Sequence, residues 1–598
     1  MNSNQATRLL RYRYARLQQL LQKIPNENTL LLVLAMIVGV GSGLGALAFE
    51  SVIEFFRAGF SKLDFQVELA GLVIPLGRIF ALVLGGLAGG ALIHTVARSS
   101  KGHGVPDVMR SVAIGGGRIP ARVAAHTSLT AGVCIGAGGS AGPEGPIVQI
   151  GASIGSTMGR ITGMSSERLR TLAACGAAGG ISAIFGAPLA GVFFAVEVIL
   201  GNFAVQSLTP VVLSSMIAAV VHQAFVGWQP RFHVPDHAAV GVEEVPFLLL
   251  LGAVAAVVSV VFIRVLYAGE TAFRRLPVAP WIRPAVGMAM VGLIALAFPE
   301  VLGDGYASVS RAFNGDLALH IMLLLVIAKL LATVCTVGSG NVGGLFAPSM
   351  VIGSMLGGAM GLLLQTHVYP DTDGLITVYA LVGMGAVIAG TTHATISGIL
   401  LVFELTNDYG IVLPAMLACA TAVLLGSQLQ KESIYSLNLV RAGIRLKRGV
   451  EVNVMSSIPV ATIMKPPDRA VRQDLHLGEL LRMLQGTSEN TFPVVTDDNL
   501  LVGVISYQDI RVVLGQEHTP EMDALIVARD IATLNPRTVT PRDNLNDALR
   551  VFGMQDVSVL PVVEPGTDRL VGVLRRWDVL SAYRRALLER EVPDLQGA

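Results

Sequence analysis

The sequence predicts an all-α polytopic membrane domain, built as an inverted repeat of broken helices and followed by a cytoplasmic α/β module. The first observation is composition, since 52% of the 598 residues are hydrophobic, 14% are charged and the mean hydropathy is +0.63. The second is that glycine or proline interrupts many apolar segments. The third is a change in composition after about residue 447, where the fraction of charged residues rises and the fraction of glycine falls.

The sequence predicts three domains. They are a basic cytoplasmic N-terminal helix at 1–28, a membrane domain at 29–447 with halves at about 29–226 and 245–445, and a module at 448–598 with repeats at about 456–515 and 530–590.

Several apolar segments are shorter than the roughly 20 residues that a straight helical span needs. Short helices that stop inside the membrane are therefore expected, and their freed backbone groups must face protein, water or ions. The apolar segments lie at about 29–59, 75–98, 121–136, 145–160, 167–199, 207–226, 245–268, 282–302, 318–337, 345–365, 376–390 and 394–428.

An internal repeat supports this architecture. APLAGVFFAVE at 187–197 aligns without a gap on ATISGILLVFE at 394–404, and GGSAGPEGPIVQIG at 138–151 has a counterpart at 338–353. Such repeats, usually inverted, build their substrate site from half-helices that meet near the membrane midplane.

Glu144 is a lone carboxylate in the glycine-rich stretch at 136–151. Pro143 and Pro146 bracket it and favour a helix that begins there. A helix N-terminus offers free N–H donors and partial positive charge, which can hold an anion. A carboxylate can occupy such a site and leave when it is protonated or displaced. The alternative is a packing loop with a helix-capping glutamate.

Charge and cysteine content narrow the function classes. The net charge of +1 suggests neither a nucleic-acid partner nor an acidic substrate. The four cysteines are far apart in apolar stretches, which argues against a disulfide framework or a zinc site. The sequence shows no hydrolytic nucleophile, Walker motif or metal-ligand cluster. We therefore predict a protein that is not an enzyme and requires no cofactor or metal.

The C-terminal region contains one unit twice. FPVVTDDNLLVGVISYQDI at 492–510 predicts a strand, an Asp-rich turn, a second strand and a helix capped by Ser506. LPVVEPGTDRLVGVLRRWDVL at 560–580 repeats this pattern.

The sequence contains three glycine motifs in order, followed by a tyrosine: GHGVP at 102–106, GPEGP at 142–146, GGLFAP at 343–348 and Tyr435 in KESIYS. As a set, they resemble the CLC chloride channel and transporter family. The C-terminal repeats resemble tandem CBS domains. The resemblance spans about 30–590 and implies the CLC fold.

The resemblance also implies site residues. Glu144 falls on the family's gating glutamate, backbone N–H groups at half-helix ends bind the anion, and the Tyr435 hydroxyl closes the inner end of the central site. Neutral donors suit a weakly hydrated monovalent anion. An interfacial tyrosine is the alternative for Tyr435 alone. The implied anion-binding residues are His103, Gly104, Gly145, Leu345, Phe346 and Tyr435.

His103 stands where the family usually has a serine that helps bind the central anion. Its imidazole could donate an N–H to chloride and add pH dependence. Alternatively it turns away, and backbone groups bind the ion alone. His393 could likewise be a second titratable group near the pathway, or a polar residue at a helix end.

Val198 stands where proton-coupled members usually keep a second, intracellular glutamate, and valine cannot carry a proton. The resemblance therefore favours passive conduction, with Val198 as the uncoupling position. The neighbouring Glu197 is predicted to be structural. Asp509 and Asp578 resemble positions that contact an adenine nucleotide in CBS domains. The alternative for that module is a dimerisation platform.

The predicted function is a voltage- or pH-modulated chloride-selective channel, gated by Glu144 and regulated by the CBS domains. The alternative is a proton-coupled chloride exchanger of the same family. A divalent-cation transporter would need clustered carboxylates in the membrane, which the sequence lacks. We expect a homodimer in the lipid bilayer of a prokaryotic inner membrane, carrying chloride or other monovalent anions, with both termini cytoplasmic. Arginines before the first apolar segment support that orientation.

Overall fold

A computed structural model shows two compact units, Met1–Gly449 and Val450–Ala598. The predicted N-terminal helix and His103 lie outside the described residues. The described residues are 27–63, 65–69, 72–95, 104–227, 232, 234–235, 241–370, 372–444, 455, 458–467, 469–484, 490–514, 525–554 and 557–591.

The described part of the first unit is mostly helical and contains one short antiparallel hairpin, β1 (Val67–Leu69) with β2 (Leu72–Ile74). Its first half contains α1 (Glu27–Ser61), α2 (Leu76–Thr95), α3 (Val105–Ala113), α4 (Arg122–Gly136), α5 (Glu144–Ile161), α6 (Ser166–Phe185), α7 (Pro188–Phe194), which continues as a π-helix over Ala195–Leu200, and α8 (Val205–Val226). Its second half contains α9 (Val245–Arg275), α10 (Arg283–Ala297), α11 (Tyr306–Phe313), α12 (Leu319–Gly338), α13 (Phe346–His367), α14 (Leu375–Thr392), α15 (Thr395–Thr406), α16 (Val412–Leu429) and α17 (Ser436–Arg441).

Eight helices in the described part of the chain are long and apolar enough to cross a membrane. Others are shorter, as the interrupted apolar segments predict. The segment at 167–199 contains two helices, α6 and the α7 segment, and the segment at 394–428 contains α15 and α16. The predicted polytopic fold of broken helices is confirmed.

The internal repeat is visible in the backbone at the two helix breaks. Ala187, before α7, has φ −123° and ψ 78°, and Ala394, before α15, has φ −124° and ψ 84°. The preceding residues, Gly186 and His393, are both left-handed, with φ 65° and 56°. The second half therefore places a histidine where the first half has a glycine.

Each half has a close helix pair at its centre. A Cβ added to Gly151 on α5 would lie 2.0 Å from the carbonyl oxygen of Gly176 on α6. In the second half, a Cβ on Gly353 of α13 would lie 2.4 Å from the carbonyl oxygen of Gly383 on α14. Because no side chain fits at these crossings, the backbones pack directly, as is common for helices in membranes.

The second unit contains the repeated strand-and-helix pattern. One sheet has the order β3-β4-β5-β6 and another pairs β7 with β8. The repeats meet through their hairpins, where Asn499 Nδ2 donates to the Leu570 carbonyl at 2.9 Å. The strands are β3 (Val471–Arg472), β4 (Thr491–Val495), β5 (Leu501–Ser506), β6 (Thr533–Leu534), β7 (Val559–Val563) and β8 (Leu570–Arg575). The helices are α18 (Leu477–Leu484), α19 (Tyr507–Leu514), α20 (Ala528–Ile531), α21 (Leu545–Met554) and α22 (Arg576–Glu591).

Candidate functional site

The two halves meet at a pair of glycines inside the membrane domain. The Gly142 N–H donates to the Gly344 carbonyl at 3.0 Å, and the Gly344 N–H donates to the Gly142 carbonyl at 2.7 Å. Just beyond this bridge, α5 begins at Glu144 and α13 begins at Phe346. The N-termini of two half-helices are therefore held side by side, as the repeat predicts.

The Glu144 carboxylate occupies the N-terminus of α13. Its Oε1 accepts hydrogen bonds from the Phe346 N–H at 2.5 Å and the Ala347 N–H at 2.8 Å. The side chain is buried, with 1% of the residue exposed. The sequence-based pair of donors was Leu345 and Phe346, whereas the carboxylate uses Phe346 and Ala347. The chain's own carboxylate thus binds where N–H groups would hold an anion.

Two glycines make room for that carboxylate. A Cβ at Gly142 would lie 1.9 Å from Glu144 Oε2, and a Cβ at Gly344 would lie 2.4 Å from Glu144 Oε1. Both distances are far shorter than a van der Waals contact. Any larger residue at either position would exclude the carboxylate from its position on the Phe346 and Ala347 N–H groups, which we call its seat.

A third half-helix approaches from the first half of the chain. Gly104 immediately precedes α3 and has φ 81°, a conformation that side chains other than glycine rarely adopt. A Cβ there would lie 2.8 Å from the backbone carbonyl carbon of Gly145. The N-termini of α3 and α5 are therefore in backbone contact.

Tyr435 lies near these helix ends, in the wall of a cavity that Pro106 and Leu345 also line. It precedes α17 and is buried, with 3% of the residue exposed. Its ring meets Phe194 edge to face at a centroid distance of 6.4 Å, and Phe194 meets Phe346 in the same way at 5.9 Å. A small cavity of about 30 Å³ lies beside Tyr435, between Pro106 and Leu345. The structure thus brings Tyr435 and Leu345 close to the half-helix ends.

A buried lysine near Glu144 was not predicted from the sequence. Lys329 lies in α12, has no exposed surface, and its Nζ donates to the carbonyls of Val301 and Gly303, both at 2.9 Å. It interacts electrostatically with Glu144 and Asp304. A lone lysine within an apolar 20-residue helix was the available signal, because an ionisable residue inside the membrane usually has a functional role.

Val198 and Glu197 lie in the π-helical segment after α7. Val198 is buried, and this segment contacts α3. Glu197 Oε2 accepts from the Ser397 N–H at 3.0 Å and the Ser397 Oγ at 2.7 Å, and Oε1 accepts from the Ile396 N–H at 3.4 Å. Glu197 therefore caps α15, in agreement with its predicted structural role. His393 occupies the left-handed position at the end of α14.

Each of the two CBS aspartates accepts hydrogen bonds or an ion pair from a neighbouring residue. Asp509 Oδ2 accepts from the Ser506 N–H at 2.7 Å and the Ser506 Oγ at 2.6 Å. Asp578 Oδ1 pairs with Lys465 Nζ at 2.9 Å. Both aspartates lie in the first turn of a helix, α19 and α22, where the helix dipole favours negative charge.

The membrane site combines half-helix N-termini, a buried tyrosine and a titratable carboxylate seated on N–H donors. Such donors bind an anion without a full opposite charge in direct contact with it. Together, the two repeated halves and this site define a membrane protein with an internal site suited to anions.

Comparison with known families agrees with this class. The family described as voltage gated chloride channel matches residues 85–427, and the CBS domain matches residues 460–515 and 528–585. The chain belongs to the voltage gated chloride channel (CLC) family and carries tandem CBS domains. The resemblance inferred from the glycine motifs is confirmed.

Its relatives include proteins named as channels and as exchangers. It is 32% identical to a ClcB-like chloride channel protein of Ralstonia nicotianae, covering 69% of this chain and 97% of the relative. It is 31% identical to the H⁺/Cl⁻ exchange transporter ClcA of Vibrio parahaemolyticus, covering 69% and 89%. The structure of a slow cyanobacterial Cl⁻/H⁺ antiporter matches with a TM-score of 0.63 and 26% identity, covering 69% of this chain and 97% of the antiporter chain.

Proposed function

We propose that this protein exchanges chloride for protons across the membrane. The observation that carries the proposal is the seat of Glu144 on the Phe346 and Ala347 N–H groups. An ionised Glu144 and a chloride ion compete for these donors. Protonation removes the charge of the carboxylate and releases it from the seat. Anion binding and proton binding are therefore linked at one side chain.

The sequence-based preference for passive conduction rested on Val198. Valine removes one proton acceptor, but it leaves the competition at Glu144 unchanged. Relatives named as H⁺/Cl⁻ exchange transporters and a structural neighbour described as a Cl⁻/H⁺ antiporter support exchange over a passive channel. Exchange, the alternative in the sequence analysis, is thus the better supported function.

Chloride or a similar monovalent anion suits the site. The described N–H donors at the start of α13 are neutral, and Lys329 donates its two described hydrogen bonds to backbone carbonyls. Glu144 and the Tyr435 hydroxyl would bound the central anion from its two ends. Such partial charges favour binding that is weak enough for release.

The test is the reversal potential of the purified protein in liposomes, under a fixed chloride gradient, with and without an imposed pH gradient. An exchanger shifts its reversal potential when the pH gradient changes, whereas a passive chloride channel follows the chloride gradient alone. Glu144→Gln mimics the protonated side chain, so this variant should transport chloride without responding to pH. A wild-type reversal potential that ignores the pH gradient would refute exchange.

The arginine distribution supports an inner-membrane orientation with both termini in the cytoplasm. Arg168 donates to Asn28 Oδ1 at 3.2 Å, which places the start of α6 beside the start of α1. Because α1 crosses the membrane and α2 crosses back, the segment between α2 and α4, which contains Arg110 and Arg118, lies on that same side. We assign this side to the cytoplasm by the positive-inside rule.

The homodimer is proposed on an exposed apolar surface. Helices α8 and α16 present large hydrophobic side chains that the described part of the chain leaves uncovered, as expected for contact with lipid or with a second copy. These side chains include Val212, Met216, Val220, Leu413, Met416 and Leu424.

For the CBS module we propose adenine-nucleotide binding that uses Asp509 and Asp578. The matched CBS pair and the position of both carboxylates in first helical turns support this proposal. Calorimetry with AMP and ATP tests it, because Asp578→Asn should weaken binding. A module with no heat of binding for either nucleotide would leave the dimerisation platform as its role.

A further inference from the structure

Glu270, on α9, lies where two cavities of the membrane domain adjoin. The small cavity beside Tyr435 includes Glu270 in its wall. A wide cavity of about 230 Å³ also includes Glu270, together with His94 at the end of α2 and Arg283 at the start of α10. Val337 and Gly338 line both cavities as well. Glu270 thus faces the interior near Tyr435 and the larger space beyond it.

Two guanidinium groups hold Glu270 at this boundary. Oε1 accepts a hydrogen bond from Arg274, and Oε2 pairs with Arg441 at 3.4 Å. Arg441 also donates to Thr271 Oγ1 at 2.8 Å and lies over the Tyr267 ring. The Glu270 side chain keeps 12% of its surface exposed, so it is largely buried and still reached by water.

The wide cavity belongs to the side that we assign to the cytoplasm. α2 ends at Thr95, and His94 lines this cavity. α1 begins on the cytoplasmic side and α2 returns to it. Arg274 in the same wall shows that α9 also ends on this side. Protons from the cytoplasm would therefore meet Glu270 before they reach Tyr435.

The small cavity has room for water between Glu270 and Tyr435. Its volume of about 30 Å³ exceeds the roughly 10–15 Å³ that one water requires. A hydrogen-bonded water there can accept a proton from a carboxylic acid and pass it onward. Among the described residues that line both cavities, Glu270 is the one carboxylate.

We infer that Glu270 is the proton-transferring side chain on the cytoplasmic side of the anion site. The inference rests on the proposed exchange function. A proton moves from water in the wide cavity to a Glu270 carboxylate oxygen. It then moves to water in the small cavity, toward Glu144, and Glu270 returns to the carboxylate that pairs with Arg274 and Arg441. This route does not pass through Val198.

Other titratable and charged side chains line the two cavities or bond to Glu270. None of those found in the walls of the two cavities or bonded to Glu270 is a second carboxylate within the described part of the chain. They are His94 on α2, Tyr267 and Arg274 on α9, Arg283 on α10, and Tyr435 and Arg441 at α17.

The test measures chloride flux and proton flux together in liposomes that contain wild type or Glu270→Gln. Glutamine keeps the size and polarity of the side chain and removes its proton-transfer ability. We expect proton flux per chloride to fall roughly tenfold or more while chloride flux persists. Glu300→Gln is the matched control, because it breaks a similar ion pair, Glu300 with Arg311 at 2.9 Å, away from both cavities.

The outcomes separate this inference from the proposed function. If wild type moves no protons with chloride, the exchange function itself fails. If wild type is coupled and Glu270→Gln is coupled to the same degree, Glu270 is only a structural partner of Arg441 and the inference is overturned. Glu270→His keeps a titratable group, so a folded His variant should retain coupling. Loss of coupling in that variant would also overturn the inference, including where the Gln variant does not fold.

Discussion

Glu197 and Glu404 each cap the helix that carries the other. Glu197 accepts hydrogen bonds from the first turn of α15, on which Glu404 lies. Glu404 accepts from the Leu189 N–H at 2.8 Å and the Ala190 N–H at 2.7 Å, in the first turn of the helix that continues to Glu197. The aligned glutamates of the internal repeat thus form a reciprocal pair between the two halves.

Replacing either glutamate should destabilise the membrane domain. In Glu404→Gln, the charge-assisted bonds to Leu189 and Ala190 are weakened, at a cost of about 1–3 kcal/mol. Thermal unfolding in detergent should show a lower Tm. Glu54→Gln is the control, since it alters an exposed pair with Arg57 and should change the Tm little. Equal Tm values for both variants would mean that the cap contributes nothing measurable.

Gly344→Ala should drive Glu144 from its seat without altering the carboxylate itself. The new methyl would lie 2.4 Å from Glu144 Oε1, so the side chain must move away from α13. We expect faster chloride flux with weaker pH dependence, measured in liposomes. Adding Glu144→Gln should then have little further effect. Gly59→Ala, where a Cβ meets nothing within 4 Å, is the control. A fully pH-dependent Gly344→Ala variant would argue against steric displacement.

Lys329→Met should lower both chloride affinity and stability. The substitution removes a positive charge near Glu144 and leaves the carbonyls of Val301 and Gly303 without their donor, at about 1–3 kcal/mol for each buried group. Calorimetric titration with chloride and thermal unfolding measure the two effects. Lys62→Met removes an exposed lysine and should change neither. Unchanged chloride affinity in Lys329→Met would restrict Lys329 to a structural role.

Gly186→Ala should lower the Tm, because Gly186 has the left-handed φ of 65° and a side chain there costs about 1 kcal/mol. At the equivalent break in the second half, His393 carries a side chain at φ 56° and is buried, with 6% of the residue exposed. His393→Gly should also lower the Tm, because the packing of the buried imidazole is lost and glycine adds conformational entropy to the unfolded chain. Thermal unfolding checks both variants, and a Tm for His393→Gly at or above that of wild type would show that backbone strain outweighs the contacts of the imidazole.

The sequence predicted the parts of the site that depend on local chemistry. Proline and glycine around Glu144 marked the start of α5, and the aligned repeats predicted the paired half-helices. The partners of Glu144 depend on how two segments more than 200 residues apart in the chain meet, so the sequence did not show that Ala347 rather than Leu345 donates to the carboxylate. The roles of Lys329 and Glu270 were missed for the same reason. Each depends on neighbours from distant helices.

The reciprocal caps have a consequence for how the chain is made. When the ribosome has released α7, the N–H groups of Leu189 and Ala190 have no carboxylate to bind, because Glu404 is more than 200 residues away in the chain. Until Glu404 is synthesised, the N–H groups of Leu189 and Ala190 must therefore form hydrogen bonds to other acceptors. A nascent chain arrested before Glu404 should be more sensitive to protease near α7 than one arrested after it. The final anion site is thus a late product of synthesis, completed when the second half arrives.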